Sequence, residues 1–249
     1  MPDSRLPPQP SLLGFITRYV QYGKRAERTV VLSRHADAFL PVYALTQRVR
    51  RYSRAYIRLM HDGMASAGQP LVRAALEHAV TAQWVFYSKD GIDRMKVSSA
   101  KDHLKFVQDI GSYADDDPYI EQLRAEVQPG PGLQTWHQIR EAFEKEKDFL
   151  ASSYAVLSQA VHVTHAVWFD AISVEEDGSL ALRDEPDDFS NDAVTYVLAS
   201  SCMLSWWLEA VCRGDEHRMR ALQDDAHTLS MPASLERRLP PDQLRPDAL

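Results

Sequence analysis

Apolar residues recur at intervals of three and four through most of this chain, the signature of helices with one buried face. Leu12, Phe15, Ile16, Tyr19 and Val20 make one such stripe. Val42, Leu45, Val49, Tyr52, Tyr56, Leu59 and Met60 make a second, and Val194, Val197, Leu198, Cys202, Leu204, Leu208 and Val211 a third. The pattern predicts helices over 11–38, 42–64, 70–87, 92–113, 118–127, 133–147, 148–171, 190–213 and 215–227. Gly23 is expected to interrupt the first, and Pro41 to end or kink it. Alternation appears only in ISVEEDGSLALR, where an Asp-Gly pair between two short segments predicts a β-hairpin. The expected fold is therefore all-α, an irregular bundle of about six to eight helices with a small hairpin near 171–184.

Pro70–Tyr87 stands apart because it is apolar on almost every side, as a helix wrapped by others would be. It nevertheless carries Arg73 and Glu77 one turn apart, and buried charges are costly unless paired. Arg before Glu is the weaker order for a local i, i+4 pair, so both are expected to have tertiary partners. The segment 148–171 offers them. On a wheel of ~100° per residue, Tyr154, Ser158 and His162 follow one another, with His165 between them. Leu157, Val161, Thr164 and Trp168 form an apolar stripe alongside. The two polar stripes are expected to meet inside the bundle. Glu77 would accept from His162 or Tyr154, and Arg73 would hold Glu77 or stay free for an anion.

Charge and composition narrow the reading. The 249 residues are 45% apolar and 25% charged, with net charge −7 and pI near 5.7. One domain over 11–229 is expected, between a flexible arm at 1–10 and a disordered, Pro- and charge-rich tail at 230–249. The acidic balance disfavours nucleic acid as a partner. A local basic strip of Arg48, Arg50, Arg51, Arg54 and Arg58 reads as a solvated helix face. Cys202 and Cys212 lie ten residues, ~15 Å, apart in one predicted helix, too far to join. No leader is expected in MPDSRLPPQP, and no charge-free run reaches the ~18 residues a membrane span needs. These features point to a cytoplasmic protein, and the excess of Arg over Lys to a GC-rich bacterial genome.

An Arg-x3-Glu helix (Arg73, Glu77), a Tyr-x3-Ser-x3-His helix (Tyr154, Ser158, His162), a hairpin and a last apolar helix together resemble an uncharacterised bacterial family of all-helical proteins, known only as a domain of unknown function. The resemblance spans about residues 40 to 213 and implies a helical bundle with no settled activity. A looser likeness links it to the HEPN group of helical ribonucleases and toxins. Members that cut RNA use Arg-x4-6-His, which here would make Arg73 and His78 the catalytic pair. The same spacing occurs in Arg28–His35, Arg54–His61 and Arg220–His227, as an Arg-rich composition produces by chance. His78 also points ~140° round the helix from Arg73.

Other chemistries lack their residues. His162-x2-His165 with Glu77 invites a metal, but neither the repeated Glu-x2-His of di-iron bundles nor His-Glu-x2-His is present, so no metal is expected. No Gly-rich phosphate loop, nucleophile elbow or dinucleotide fingerprint occurs, so no cofactor is expected. The leading reading is a binding or interaction protein whose internal site of Arg73, Glu77, Tyr154, Ser158, His162 and His165 holds a small ligand, anionic where Arg73 meets it. Its partner is a small molecule or a protein, not a membrane. The alternatives are a metal-independent RNA-cleaving toxin or defence protein, and a purely structural or homodimerising helical module.

Overall fold

The computed structural model describes residues 6–22, 30–110, 117–127, 130–143, 149–159, 172–175, 177–182 and 191–246. Within them run α1 (Gln9–Tyr22), α2 (Ala36–His61), α3 (Gln69–Tyr87), α4 (Gly91–Ile110), α5 (Pro118–Glu126), α6 (Trp136–Phe143), α7 (Phe149–Gln159), α8 (Asn191–Arg213) and α9 (Glu216–Thr228). Between α7 and α8, β1 (Ile172–Val174) pairs antiparallel with β2 (Leu180–Leu182), with Gly178 in the left-handed region at φ 81°. The fold is an irregular helical bundle with the expected hairpin.

α3 and α8 form its axis, packed on each other and flanked by α2 and α1. In α3 every residue from Ala82 to Tyr87 is buried, as a helix apolar on all sides requires. α8 is the one helix among the described residues long and apolar enough to cross a membrane by length and composition, and most of that stretch is buried against its neighbours. α4 leaves α3 at so close an approach that a Cβ on Gly91 would lie 2.6 Å from the Val85 carbonyl oxygen. Asp215 caps α9 by accepting from the Arg218 N–H at 2.9 Å.

Several expectations are corrected. Pro41 does not end a helix: α2 runs through it, because it lies in the second turn and deprives only the carbonyl of exposed Asp37, which water reaches. Val30–Leu32 do not resume a helix. They lead non-helically into a 3₁₀ turn at Ser33–His35, and the Leu32 N–H donates to the Cys212 carbonyl at 2.9 Å. Of the basic strip, Arg48, Arg51, Arg54 and Arg58 lie on the outer side of α2, but Arg50 is buried.

Arg50 lies where α1, α2 and α8 meet. Its Nη2 donates to both carboxylate oxygens of Glu209 at 2.8 Å. Its guanidinium covers the Tyr19 ring at 4.5 Å, and the Tyr19 hydroxyl donates to the Thr46 carbonyl at 3.0 Å. Burial alone would lower the Arg50 pKa, but Tyr19 and the Glu209 carboxylate outweigh it and hold the pKa up. One turn on, Ser53 Oγ donates its only proton to the Val49 carbonyl, so at its 3.1 Å contact with Cys202 the thiol is the donor.

Both cysteines are free and buried, and burial pushes each thiol up to about 12. Neither is expected to react with a thiol-specific chromogenic reagent in the native protein at about pH 8, where only thiolate attacks. Both should react once urea unfolds the chain. Rapid labelling of either in the folded protein would contradict this packing.

The segment after Ser230, expected to be disordered, is packed onto the bundle as far as Pro246. Met231, Leu235 and Leu239 are buried. The Leu235 N–H donates to Gln83 Oε1 at 2.9 Å, while Gln83 Nε2 donates to the Leu204 carbonyl at 2.9 Å. Leu244 bridges to Ser88, and the Arg245 N–H donates to the Tyr87 carbonyl at 2.8 Å. The physical reason is spacing: an apolar residue every four or five positions lets a Pro-rich chain anchor repeatedly on the flank of α3 and α8.

Candidate functional site

The site forms where α6 and α7 lie against α3. α7 turns Leu150, Ser153 and Leu157 into the core, at the i, i+3, i+7 spacing of a buried face. Tyr154 and Ser158, each one residue further on, therefore stand at the edge of that face, beside the partly buried side of α3 that carries Arg73 and Glu77. α6 opens with Trp136, whose ring lies tilted 5.4 Å from that of Tyr154.

The two polar stripes meet through Arg73. Its Nε donates to Glu77 Oε1 at 3.0 Å, and its Nη2 donates to the Tyr154 hydroxyl at 2.6 Å. Its guanidinium also covers the Tyr154 ring at 4.7 Å, with that of Arg140 at 5.9 Å from the same ring. The local pair and the tertiary partner thus coexist, and it is Arg73, not Glu77, that reaches Tyr154. The Arg73 side chain retains 17% exposure and that of Glu77 34%, so the pair sits at the boundary between core and solvent.

Ser158 belongs to the same edge of α7, but its buried Oγ makes no hydrogen bond among the described residues. His162 and His165 lie outside the described residues. His78 does not join Arg73. Its Nδ1 lies 2.7 Å from the Ala74 carbonyl and its ring meets Tyr52 of α2 edge-on at 5.6 Å, whereas Arg73 faces α7. The catalytic pairing that Arg-x4-His would require is therefore not assembled here.

Two participants carry no signal in the sequence. Trp136 and Arg140 sit in what reads as an ordinary charged helix, and nothing in their spacing ties them to Tyr154. A cleft of about 210 Å³ opens beside the pair, with Glu77, His78 and Thr81 of α3 on one wall and Gln134 and Trp136 on the other.

These features define an all-helical protein with a polar site between two helices and a small cleft at its mouth. Residues 39–179 match the family of unknown function DUF5677, and the chain belongs to that family. Arg73, Glu77, Trp136, Arg140, Tyr154 and Ser158 all fall within that span. No curated protein and no solved structure matches the chain.

Proposed function

We propose that this protein binds a small ligand through an anionic group seated at the junction of α3, α6 and α7. The observation that carries the reading is a set of three buried polar atoms on α3, α6 and α7 that make no hydrogen bond among the described residues: Arg73 Nη1, Trp136 Nε1 and Ser158 Oγ. The first two can only donate. A buried donor left unmet costs about 1–3 kcal/mol, and native proteins hold few of them. Unmet donors on two residues that both contact Tyr154 suit an acceptor-rich group such as a carboxylate or phosphate. The guanidiniums of Arg73 and Arg140, both set against the Tyr154 ring, favour the same ligand.

A thermal-shift screen of carboxylic acids, nucleotides and inorganic phosphate tests the reading. At saturation one of these classes is expected to raise the melting temperature by about 3 °C or more. Trp136→Phe keeps an aromatic ring and removes the N–H, so it should weaken that ligand by about ten-fold or more. Arg73→Met should abolish the response. The reading fails if no anion stabilises the protein, or if Trp136→Phe binds as the native chain does.

A further inference from the structure

The outward face of α2 is a run of arginines. Arg48, Arg51, Arg54 and Arg58 all stand exposed. On a wheel of ~100° per residue they fall within about 120° of one another, and along the helix they span about 15 Å. Asp and Glu make up 35 of the 249 residues, yet none occurs from Ala38 to His61. Acids return only at the two ends of the helix, as Asp37 and Asp62. Among the described residues none of the four arginine side chains makes a hydrogen bond or an ion pair.

A helix face that only meets solvent gains from acid and base set three or four residues apart, and loses where like charges take those spacings. Here like charges take them: Arg48 with Arg51, Arg51 with Arg54, and Arg54 with Arg58. The free helix bears that repulsion, and an anionic partner removes it. We infer that this face docks the phosphate backbone of a double-helical nucleic acid. About 15 Å of duplex carries about nine phosphate charges, so each guanidinium can meet a phosphate of its own. The inference is independent of the anion site between α3, α6 and α7.

Other polyanionic surfaces match the face less well. No exposed aromatic or large apolar side chain lies between Arg48 and Arg58. An acidic protein would need an apolar anchor at the centre of its interface, and a single strand would need rings for its bases to stack on. An anionic membrane would need a free apolar face to insert, and that of α2 is packed on α1, α3 and α8. A duplex backbone needs only charge and hydrogen-bond donors. The net charge of −7 does not oppose the contact at close range, because at physiological salt exposed charges beyond about 8 Å are largely screened.

The experiment measures fluorescence anisotropy of labelled duplexes of arbitrary sequence with the full chain. DNA and RNA duplexes are titrated separately, to distinguish the two sources of the backbone. Binding of at least one is expected at about 50 mM salt, weakening by about 100-fold by about 200 mM, as four phosphate contacts require. Arg48→Gln, Arg51→Gln, Arg54→Gln and Arg58→Gln combined should weaken binding about ten-fold or more and flatten the salt dependence. The control combines Lys96→Gln, Lys105→Gln, Arg220→Gln and Arg237→Gln, which removes the same charge from exposed positions elsewhere and should bind as the native chain does. The inference is overturned if neither duplex binds at about 50 mM salt, or if binding weakens less than about four-fold over that range, as a single contact would give. It is also overturned if the α2 variant binds as the native chain does, or if the control loses as much as the α2 variant. Tighter binding of a thymidine single strand, of poly-glutamate or of phosphatidylserine vesicles than of either duplex would assign the face to that partner instead. The salt dependence and these comparisons use native protein, so the outcome does not depend on whether the variants fold.

Discussion

Glu209→Ala is expected to destabilise the protein by about 3–5 kcal/mol, roughly a fifth or more of the stability of a typical domain. Glu209 is 2% exposed and receives both of its hydrogen bonds from Arg50, which is 3% exposed. Alanine would strand a guanidinium among Tyr19, Thr46 and Cys202, where water does not reach. Arg50 cannot escape by losing its proton, since a guanidinium stays charged in proteins, so the full desolvation cost appears in the folded state. Arg50 Nε is already buried and without a hydrogen bond among the described residues, which offer the cation no second acceptor there. Urea unfolding gives the measurement, read as a shift in midpoint at constant slope. The informative companion is Arg50→Met with Glu209→Leu. Removing both charges removes both desolvation penalties, so the double variant should recover most of the loss. A loss below about 1 kcal/mol for Glu209→Ala would put the pair in the class of solvated surface bridges, and the buried arrangement described here would be wrong.

That ion pair marks where sequence pattern stops being informative. A charge stranded in an apolar helix singles out Arg73 and Glu77, and the same logic applies with equal force to Glu209, flanked in α8 by Trp206, Trp207, Leu208 and Val211. Its partner is hidden for a different reason. Arg50 belongs to a run of arginines on α2, and periodicity alone does not say which member turns inward; the packing of α1 against α2 selects it. The bundle itself was legible because its stripes are long and regular. So was the meeting of α3 with α7, because each carries polar residues at i, i+4 beside an apolar face. Trp136 and Arg140 were not, since α6 reaches Tyr154 by a tertiary approach that no spacing within 133–147 encodes. Pro41 misled for a local reason: the cost of proline depends on whether the carbonyl one turn back is buried, and that of Asp37 is not.

The C-terminal segment misled through composition, and its role gives the second large effect: Leu235→Ala should cost about 2–5 kcal/mol. Proline and charge between Met231 and Leu244 resemble a disordered tail by count. Count ignores that the few apolar residues fall where they anchor. Leu235 is fully buried, and the backbone N–H of the same residue holds the Gln83 side chain. Gln83 in turn donates to the Leu204 carbonyl, so one amide ties α3, α8 and the tail together at a point inside the core. Alanine at 235 would open a cavity beside this amide that the flanking proline-rich backbone cannot easily collapse to fill. Deleting the chain from Met231 onward should cost at least as much, because it also uncovers the surface that Leu239 covers and leaves Gln83 Oε1 without its donor, at about 1–3 kcal/mol for the unmet group. Gln83→Met separates the two contributions: it removes both amide hydrogen bonds while nearly keeping the volume. Because Gln83 and Leu235 share one contact, the losses in Gln83→Met and Leu235→Ala should be non-additive when combined. A loss within about 0.5 kcal/mol for Leu235→Ala, the range of an ordinary surface substitution, would return the segment to the class of a dispensable tail.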